Sequence, residues 1–212
     1  MPVPTTSTKP STIGYSIVAK ADLGHALLAV ASELMALGRQ FALVGGLAVS
    51  ARAEVRFTRD VDLAVAVVDD SDAEQLILLL RNRSYHVRAT VEQDAVGRLS
   101  TVRLLSPDGV KVDLLFASSG IEPEIAARAE WIEQGAGRVP VARAEELVAT
   151  KVLSADERRL QDHLDFRSLL SVAPVDLGIV RANLQLIVQR GFARQQDLIA
   201  KFESMLAAVE SP

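Results

Sequence analysis

The residues best equipped for chemistry in this chain are two aspartates flanking a valine, Asp60-Val61-Asp62, and a glycine pair upstream of them, Gly45-Gly46. On a strand, successive side chains point to opposite faces. Asp60 and Asp62 would then share one face, and Val61, Leu63, Val65 and Val67 the other. Two carboxylates a few ångströms apart repel each other unless something positive lies between them. A hard divalent ion such as Mg2+, bound by carboxylate oxygens and substrate phosphates, removes that repulsion. Glycines without a Cβ let the backbone turn sharply and let a phosphate approach its N–H groups. A helix starting just after them would aim its positive end at the same place. Taken singly, each feature has a plainer reading: an Asp-x-Asp as a solvated strand end, a Gly-Gly as a turn.

The elements that must position these residues lie within Phe41 to Val68. The stretch reads as strand, turn, short helix, strand, with glycines and aspartates meeting at one end of a small sheet. Arg52, Arg56 and Arg59 form a basic segment between the two strands. This combination resembles the nucleotidyltransferase superfamily that includes DNA polymerase beta, and within it the AbiEii-type, MenT-like branch of bacterial nucleotidyltransferase toxins. The matching residues are Gly45-Gly46, Arg56, Thr58 and Asp60-Val61-Asp62. Many superfamily members carry Gly-Ser where this chain has Gly45-Gly46, so backbone N–H groups replace a hydroxyl at the phosphates.

The totals suit a soluble protein. The chain has 212 residues, 49% of them hydrophobic, enough for one large domain or two small ones. It has no cysteine, which excludes disulfides and thiolate metal sites, and three scattered histidines, His25, His86 and His163. No apolar run approaches the ~20 residues of a membrane span, and the N-terminus lacks the apolar core of a secretory signal. A cytoplasmic location is expected. The net charge of -4 gives no general attraction to nucleic acid.

Residues 1–14, rich in Pro, Ser and Thr, read as a flexible arm. Ala21 to Leu37 has helical apolar spacing and stops at Gly38. Ser71 and Glu74 form a capping-box pattern opening a helix over Ala73 to Arg83. Tyr85 to Val91 reads as a short strand. Thr101 to Leu105 and Val110 to Phe116 read as a hairpin joined by Ser106-Pro107-Asp108-Gly109. On its second strand Lys111, Asp113 and Leu115 share one face. Ile121 to Ala129 reads as helix, and Glu130 to Gly137 as a connection, with Trp131 covering the sheet edge. Beyond about residue 140 no strand is evident. Helices are expected over Ala144 to Leu153, Arg158 to Leu170, Asp176 to Gln189 and Gln195 to Val209. The fold class is thus α+β: a small mixed sheet flanked by helices over residues 15–140, the nucleotidyltransferase fold, then a helical bundle over 141–212.

The resemblance implies further site residues. Asp113 matches the third metal-site carboxylate; on its own it could equally pair with Lys111 or a nearby arginine. Lys151, Ala155, Arg158 and Asp162 would line one face if the segment were continuous helix, and Lys151, Arg158 and Asp162-His163-Leu164-Asp165 resemble the family's lysine, basic position and Asp-x-x-Asp. Such a stripe is otherwise a solvated face. The resemblance implies that Lys151 holds the triphosphate, that Asp162 orients Lys151 or contacts the acceptor, and that Asp60, Asp62 and Asp113 hold Mg2+ or Mn2+. Gly45, Gly46, Arg56, Thr58, Arg59 and Arg158 would then contact the nucleoside triphosphate.

The chemistry implied is transfer of a nucleoside monophosphate to an acceptor hydroxyl. The resemblance points to the 3′ end of tRNA, and to a toxin with a cognate antitoxin. Arg81, Arg83, Arg88, Arg98 and Arg103 could line an RNA path or be ordinary surface charges. The alternatives are an aminoglycoside- or lincosamide-type antibiotic nucleotidyltransferase and a non-catalytic nucleotide-binding module.

Overall fold

The computed structural model describes residues 22–156, 158–172 and 174–210, so the expected N-terminal arm lies outside the described residues. The elements run α1 (Leu23–Ala36), β1 (Phe41–Val44), α2 (Gly45–Arg52), β2 (Asp60–Val65), α3 (Asp70–Arg81), β3 (His86–Gln93), β4 (Arg98–Leu105) and β5 (Lys111–Leu115). They continue with α4 (Glu122–Arg128), β6 (Glu130–Gln134), β7 (Gly137–Val141), α5 (Ala144–Ser154), α6 (Leu160–Val172), α7 (Leu177–Gln189) and α8 (Leu198–Glu210). One mixed sheet holds all the strands in the order β3-β4-β5-β2-β1-β7-β6. Pairing is parallel for β2 with β5 and for β1 with β7, and antiparallel elsewhere.

Local signals account for most boundaries. Asp22 caps α1 by accepting from the Gly24 and His25 N–H groups. The helix stops at Gly38, which is left-handed at φ +67°. The Ser106–Gly109 turn closes the β4–β5 hairpin, with Gly109 at φ +78°. α3 starts earlier than the Ser71/Glu74 box implies. Its cap is Asp69, which accepts from the Asp72 N–H. Asp70 then serves to hold Arg98 and the Leu99 N–H.

The segment read as a connection from Glu130 to Gly137 is instead a hairpin, β6–β7, turned at Gly135 with φ +61°. Trp131 sits on that edge strand, opposite Pro140 and half-exposed, rather than covering the sheet edge from a connection. Two features hid the hairpin. β6 lacks a clean alternation of apolar and polar residues, and β7 contains Pro140, a residue that argues against a central strand. Here β7 meets β1 at a single register position, Leu43 with Val141, so the ladder on that side is short.

The apolar side of the sheet, with Val61, Leu63, Val102, Leu104, Val112 and Leu114 all fully buried, packs under α1 and α3. The helices after Val141 pack on α2 and on one another, with Phe166 edge-on to Phe202. Their buried side chains and those of the sheet form one continuous core. Among the described residues no helix is long and apolar enough to cross a membrane.

Candidate active site

The register of the central strands places the carboxylates. Asp62 lies opposite Val44 on β1 and opposite Asp113 on β5, and Asp113 lies opposite Arg103 on β4. Asp60 lies opposite Lys111. All three acids therefore share the face turned away from the apolar layer. That face borders a cleft of about 330 Å³, lined by Gly45, Asp62 and Asp113 and, from the chain after β7, by Lys151, Arg159, Asp162 and Arg194; Asp60 and Gly46 are not among its lining residues.

The two glycines serve this arrangement through contacts the sequence did not suggest. Gly45 is left-handed at φ +62°, and a Cβ built on it would stand 2.1 Å from Asp62 Oδ2. A Cβ on Gly46 would stand 2.6 Å from an Arg56 guanidinium nitrogen. The absent side chains let Asp62 lie against the start of α2, whose N-cap residue Val44 offers no side-chain partner, and the Gly46 N–H helps to hold its carboxylate there. Gly45→Ala is expected to cost roughly 2–3 kcal/mol, from the left-handed backbone and the displaced carboxylate together. Gly38→Ala, at a left-handed glycine with nothing within 4 Å, should cost only about 1 kcal/mol. Thermal melts of both variants check this, and equal losses would show that the Asp62 contact counts for nothing.

Burial first, then the charges of Asp113 and Asp60, push the Asp62 pKa up to about 6 against the opposing pull of Lys151 and the Gly46 N–H. Asp113 is also raised, by burial and by Asp60, with Arg103 working the other way. Arg103 Nε reaches Asp113 Oδ2 at 3.3 Å, and Lys111 Nζ reaches Asp60 Oδ1 at 3.7 Å. As they stand, the acids lean on these cations, and among the described residues no three acidic or histidine side chains form a closed metal group. The donor set nevertheless fits a hard divalent cation. It is all carboxylate oxygen, and like charge from neighbouring acids helps to raise the Asp62 and Asp113 carboxyls, the strain a cation relieves.

The stripe Lys151, Ala155, Arg158, Asp162 is not one helix. α5 ends at Ser154, and Asp156 bends the chain by accepting from the Arg158 N–H before α6 begins at Leu160. Lys151 and Asp162 meet all the same, because α6 folds back along α5. Lys151 Nζ lies 2.7 Å from Asp162 Oδ1 and 2.7 Å from Asp165 Oδ2. Asp165 also takes Arg56, whose Nε is 2.7 Å from its Oδ1, and Gln161 at 2.9 Å. Burial works to raise the Asp165 carboxyl, but the hydrogen bonds from Lys151 and Gln161 and the charges of Lys151 and Arg56 hold it below the ordinary range.

Several expected contacts are redirected. Arg56 is turned to Asp165 rather than into the cleft. Arg59 lies over the exposed Phe57 ring at 5.3 Å. Neither these nor Thr58 and Arg158 line the cleft. Arg52 ties α2 to β7 through the Val141 and Ala142 carbonyls. Of the arginines suggested for an RNA path, Arg83 is paired with Glu33 and Arg98 with Asp70. Arg103 alone of that set lines the cleft. The residues that sequence reasoning missed are Ser118, Ser119, Arg159 and Arg194, which have no local pattern to betray them.

A sheet with this order, carrying paired aspartates beside a glycine-initiated helix, has the fold of nucleotidyltransferase-like proteins. An antigenic protein of that class from Paracoccidioides brasiliensis superposes with a TM-score of 0.51 at 19% identity, over 85% of this chain and 92% of that one. A family model described as nucleotidyl transferase AbiEii toxin, type IV toxin–antitoxin system, matches residues 27–209, and the chain belongs to that family. Two looser likenesses carry no argument of their own. One is a lincomycin-bound lincosamide antibiotic adenylyltransferase, with a TM-score of 0.46 at 14% identity over 70% of this chain and 97% of that one. The other is MenT4, a nucleotidyltransferase toxin from Mycobacterium tuberculosis, with a TM-score of 0.29 at 17% identity over 81% of this chain and 85% of that one. Comparison with curated proteins gives no match.

Proposed function

We propose that this AbiEii-family nucleotidyltransferase moves a nucleoside monophosphate from a nucleoside triphosphate to the 3′-terminal hydroxyl of tRNA, as a toxin neutralised by a cognate antitoxin. The observation that carries the transfer is the register of Asp62 with Asp113 on adjacent parallel strands, beside the glycine-initiated start of α2. Family membership supports the toxin role.

Asp60, Asp62 and Asp113 would hold Mg2+ or Mn2+. When bound, such ions acidify the attacking hydroxyl and neutralise charge on the triphosphate oxygens. The chain's own groups do the rest. The backbone N–H groups at Gly45-Gly46 and the positive end of α2 face the phosphates. The acceptor oxygen forms a bond to the α-phosphorus, the bond from that phosphorus to the bridging oxygen breaks, and pyrophosphate leaves. Asp113, whose carboxyl is raised by burial, takes the hydroxyl proton. Lys151 offsets charge on the departing pyrophosphate.

The test is incubation of the purified chain with each labelled ribonucleoside triphosphate, Mg2+ and total tRNA. Label should appear at the tRNA 3′ end, and induced expression should arrest growth, with both effects absent in Asp60→Ala. Labelled aminoglycoside or lincosamide in a parallel reaction, with unlabelled tRNA, would replace the toxin reading. Triphosphate binding without transfer to either would leave only a binding module.

A further inference from the structure

On one side the sheet ends at β3, and no described residue pairs beyond it. Along its outer side an edge strand offers N–H and C=O groups to any further strand. Proteins blunt such an edge with short length, lysine, proline or a covering element. β3 has none of these. Its eight residues hold no lysine and no proline, and all but Ala89 and Gln93 are exposed. The other edge strand, β6, is five residues long, and Arg52 and Arg143 hold its Glu130. A bulge at Arg88 bends β3 between the Val87–Leu104 and Ala89–Arg103 pairs. At the next irregularity the extra residue, Ser100, lies on β4, so β3 runs without an insertion from Ala89 to Gln93.

The charges along β3 select what fits beside it. Arg88 stands near its start, Glu92 near its end and Asp94 just beyond. Among the described residues none of the three takes part in an ion pair. A second copy laid antiparallel, with Thr90 opposite Thr90, brings each Arg88 opposite the other copy's Glu92 and each Ala89 opposite the other's Val91. Parallel addition in register would instead set Arg88 on Arg88 and Glu92 on Glu92, which repel. The strand is thus complementary to itself, as a two-fold interface requires. Apolar surface lies along the same edge. Val87 and Val91 are 39% and 40% exposed, and Leu78 on α3 is 54% exposed. Leu78, Val87, Thr90 and Glu92 border one groove of about 530 Å³ between α3 and β3.

We propose that two copies of this chain join edge to edge through β3, antiparallel about Thr90, into one continuous sheet. The two-fold axis of such a pair stands normal to the sheet, so both carboxylate faces lie on the same side of it. Val91 lines the cleft, so the seam runs along the cleft's outer rim. A single strand pairing buries less than a standard interface, and the dimer forms in the range of about 10–100 µM protein. Sedimentation equilibrium of the full chain over rising concentration tests it. The wild type should pass from monomer to dimer by about 100 µM. Arg88→Glu and Glu92→Arg each set like charges opposite one another twice per dimer, and each should raise the dissociation constant by about tenfold or more. An equimolar mixture of the two variants restores opposite charges at both positions and should recover the wild-type dimer. The double variant Arg88→Glu/Glu92→Arg should do the same by itself. Both side chains are exposed, and circular dichroism melts confirm that each variant is folded. A wild type that stays monomeric at about 100 µM overturns the proposal and leaves the edge to a strand of another protein. So does a dimer that neither charge reversal weakens, which would place the contact elsewhere, and so does a mixture that dimerises no better than either variant alone. The readout is mass, so the result stands apart from any nucleotidyl transfer.

Discussion

Asp62→Asn should raise the melting temperature at pH 8 while abolishing nucleotidyl transfer. The carboxyl of Asp62 has its pKa pushed to about 6 in the fold, by burial and then by Asp113 and Asp60, from an ordinary value of 3.8. The folded state therefore holds that proton more tightly than the unfolded chain does. Stability falls as pH rises from about 4 to about 6, and above that the full cost of the buried charge is present. A shift of about two units corresponds to at most ~3 kcal/mol, and partial exposure of the group reduces this to roughly 1–2 kcal/mol. The amide keeps an oxygen for the Gly46 N–H and drops the charge. The variant should match wild type near pH 4 and melt about 2–6 °C higher at pH 8. Mg2+ should raise the melting temperature of wild type through linkage and leave Asp62→Asn unmoved. Transfer should drop by at least about a thousandfold, since a charge-holding group at the reacting centre is gone. An Asn variant that melts lower than wild type at pH 8, or that responds equally to Mg2+, would remove the case for a strained carboxylate cluster awaiting a cation.

Lys151→Ala should do the opposite to stability and the same to activity. Lys151, Asp162 and Asp165 are 9%, 8% and 1% exposed, and the one ammonium serves both carboxylates. Truncation leaves two buried acids with only Arg56, Arg159 and Gln161 to answer them. Removing one member of a buried charge group costs about 3–5 kcal/mol, far above the worth of any surface pair in this chain. Asp165 is held below the ordinary carboxylate range, so its contribution is present above that range and fades only as pH falls through the lowered value. The gap between Lys151→Ala and wild type should accordingly close only in strong acid. Adding Asp165→Asn to Lys151→Ala should recover part of the lost stability, because the uncompensated charge is gone, and none of the transfer. Urea unfolding with parallel transfer assays separates the two roles. Full stability in Lys151→Ala would contradict the buried network, and activity regained in the double variant would make Lys151 structural only.

The two predictions differ in how far the sequence foreshadowed them. Strand alternation is local, so the shared face of Asp60 and Asp62 and the placement of Asp113 beside Lys111 on theirs followed from residue order. The turn residues of the β4–β5 hairpin were equally legible, because Pro and Gly restrict the backbone where they stand. The β6–β7 hairpin was not, since Pro140 and an irregular pattern conceal a strand that pairing with neighbours stabilises. The break after α5 was legible as a gap between the helices expected over Ala144 to Leu153 and Arg158 to Leu170, but its cause was not. No Gly or Pro interrupts residues 151–162, and the helix ends where Asp156 caps the Arg158 N–H and the Lys201 ammonium and Gln196 amide take the last carbonyls. Those last two partners arrive from α8 and the connection before it, beyond the reach of any local pattern.

By itself, then, the order of residues determined the carboxylate pair, the glycine turn that receives it, the expected third acid and the family. Only the packed chain decided which cation answers which acid. It set Arg56 on Asp165, Lys151 between Asp162 and Asp165, and Arg159 with Arg194 along the cleft. The physical reason is one of range: side-chain direction along a strand is dictated by the neighbouring peptide units, whereas charge pairing depends on distances set by how separate helices fold back on one another.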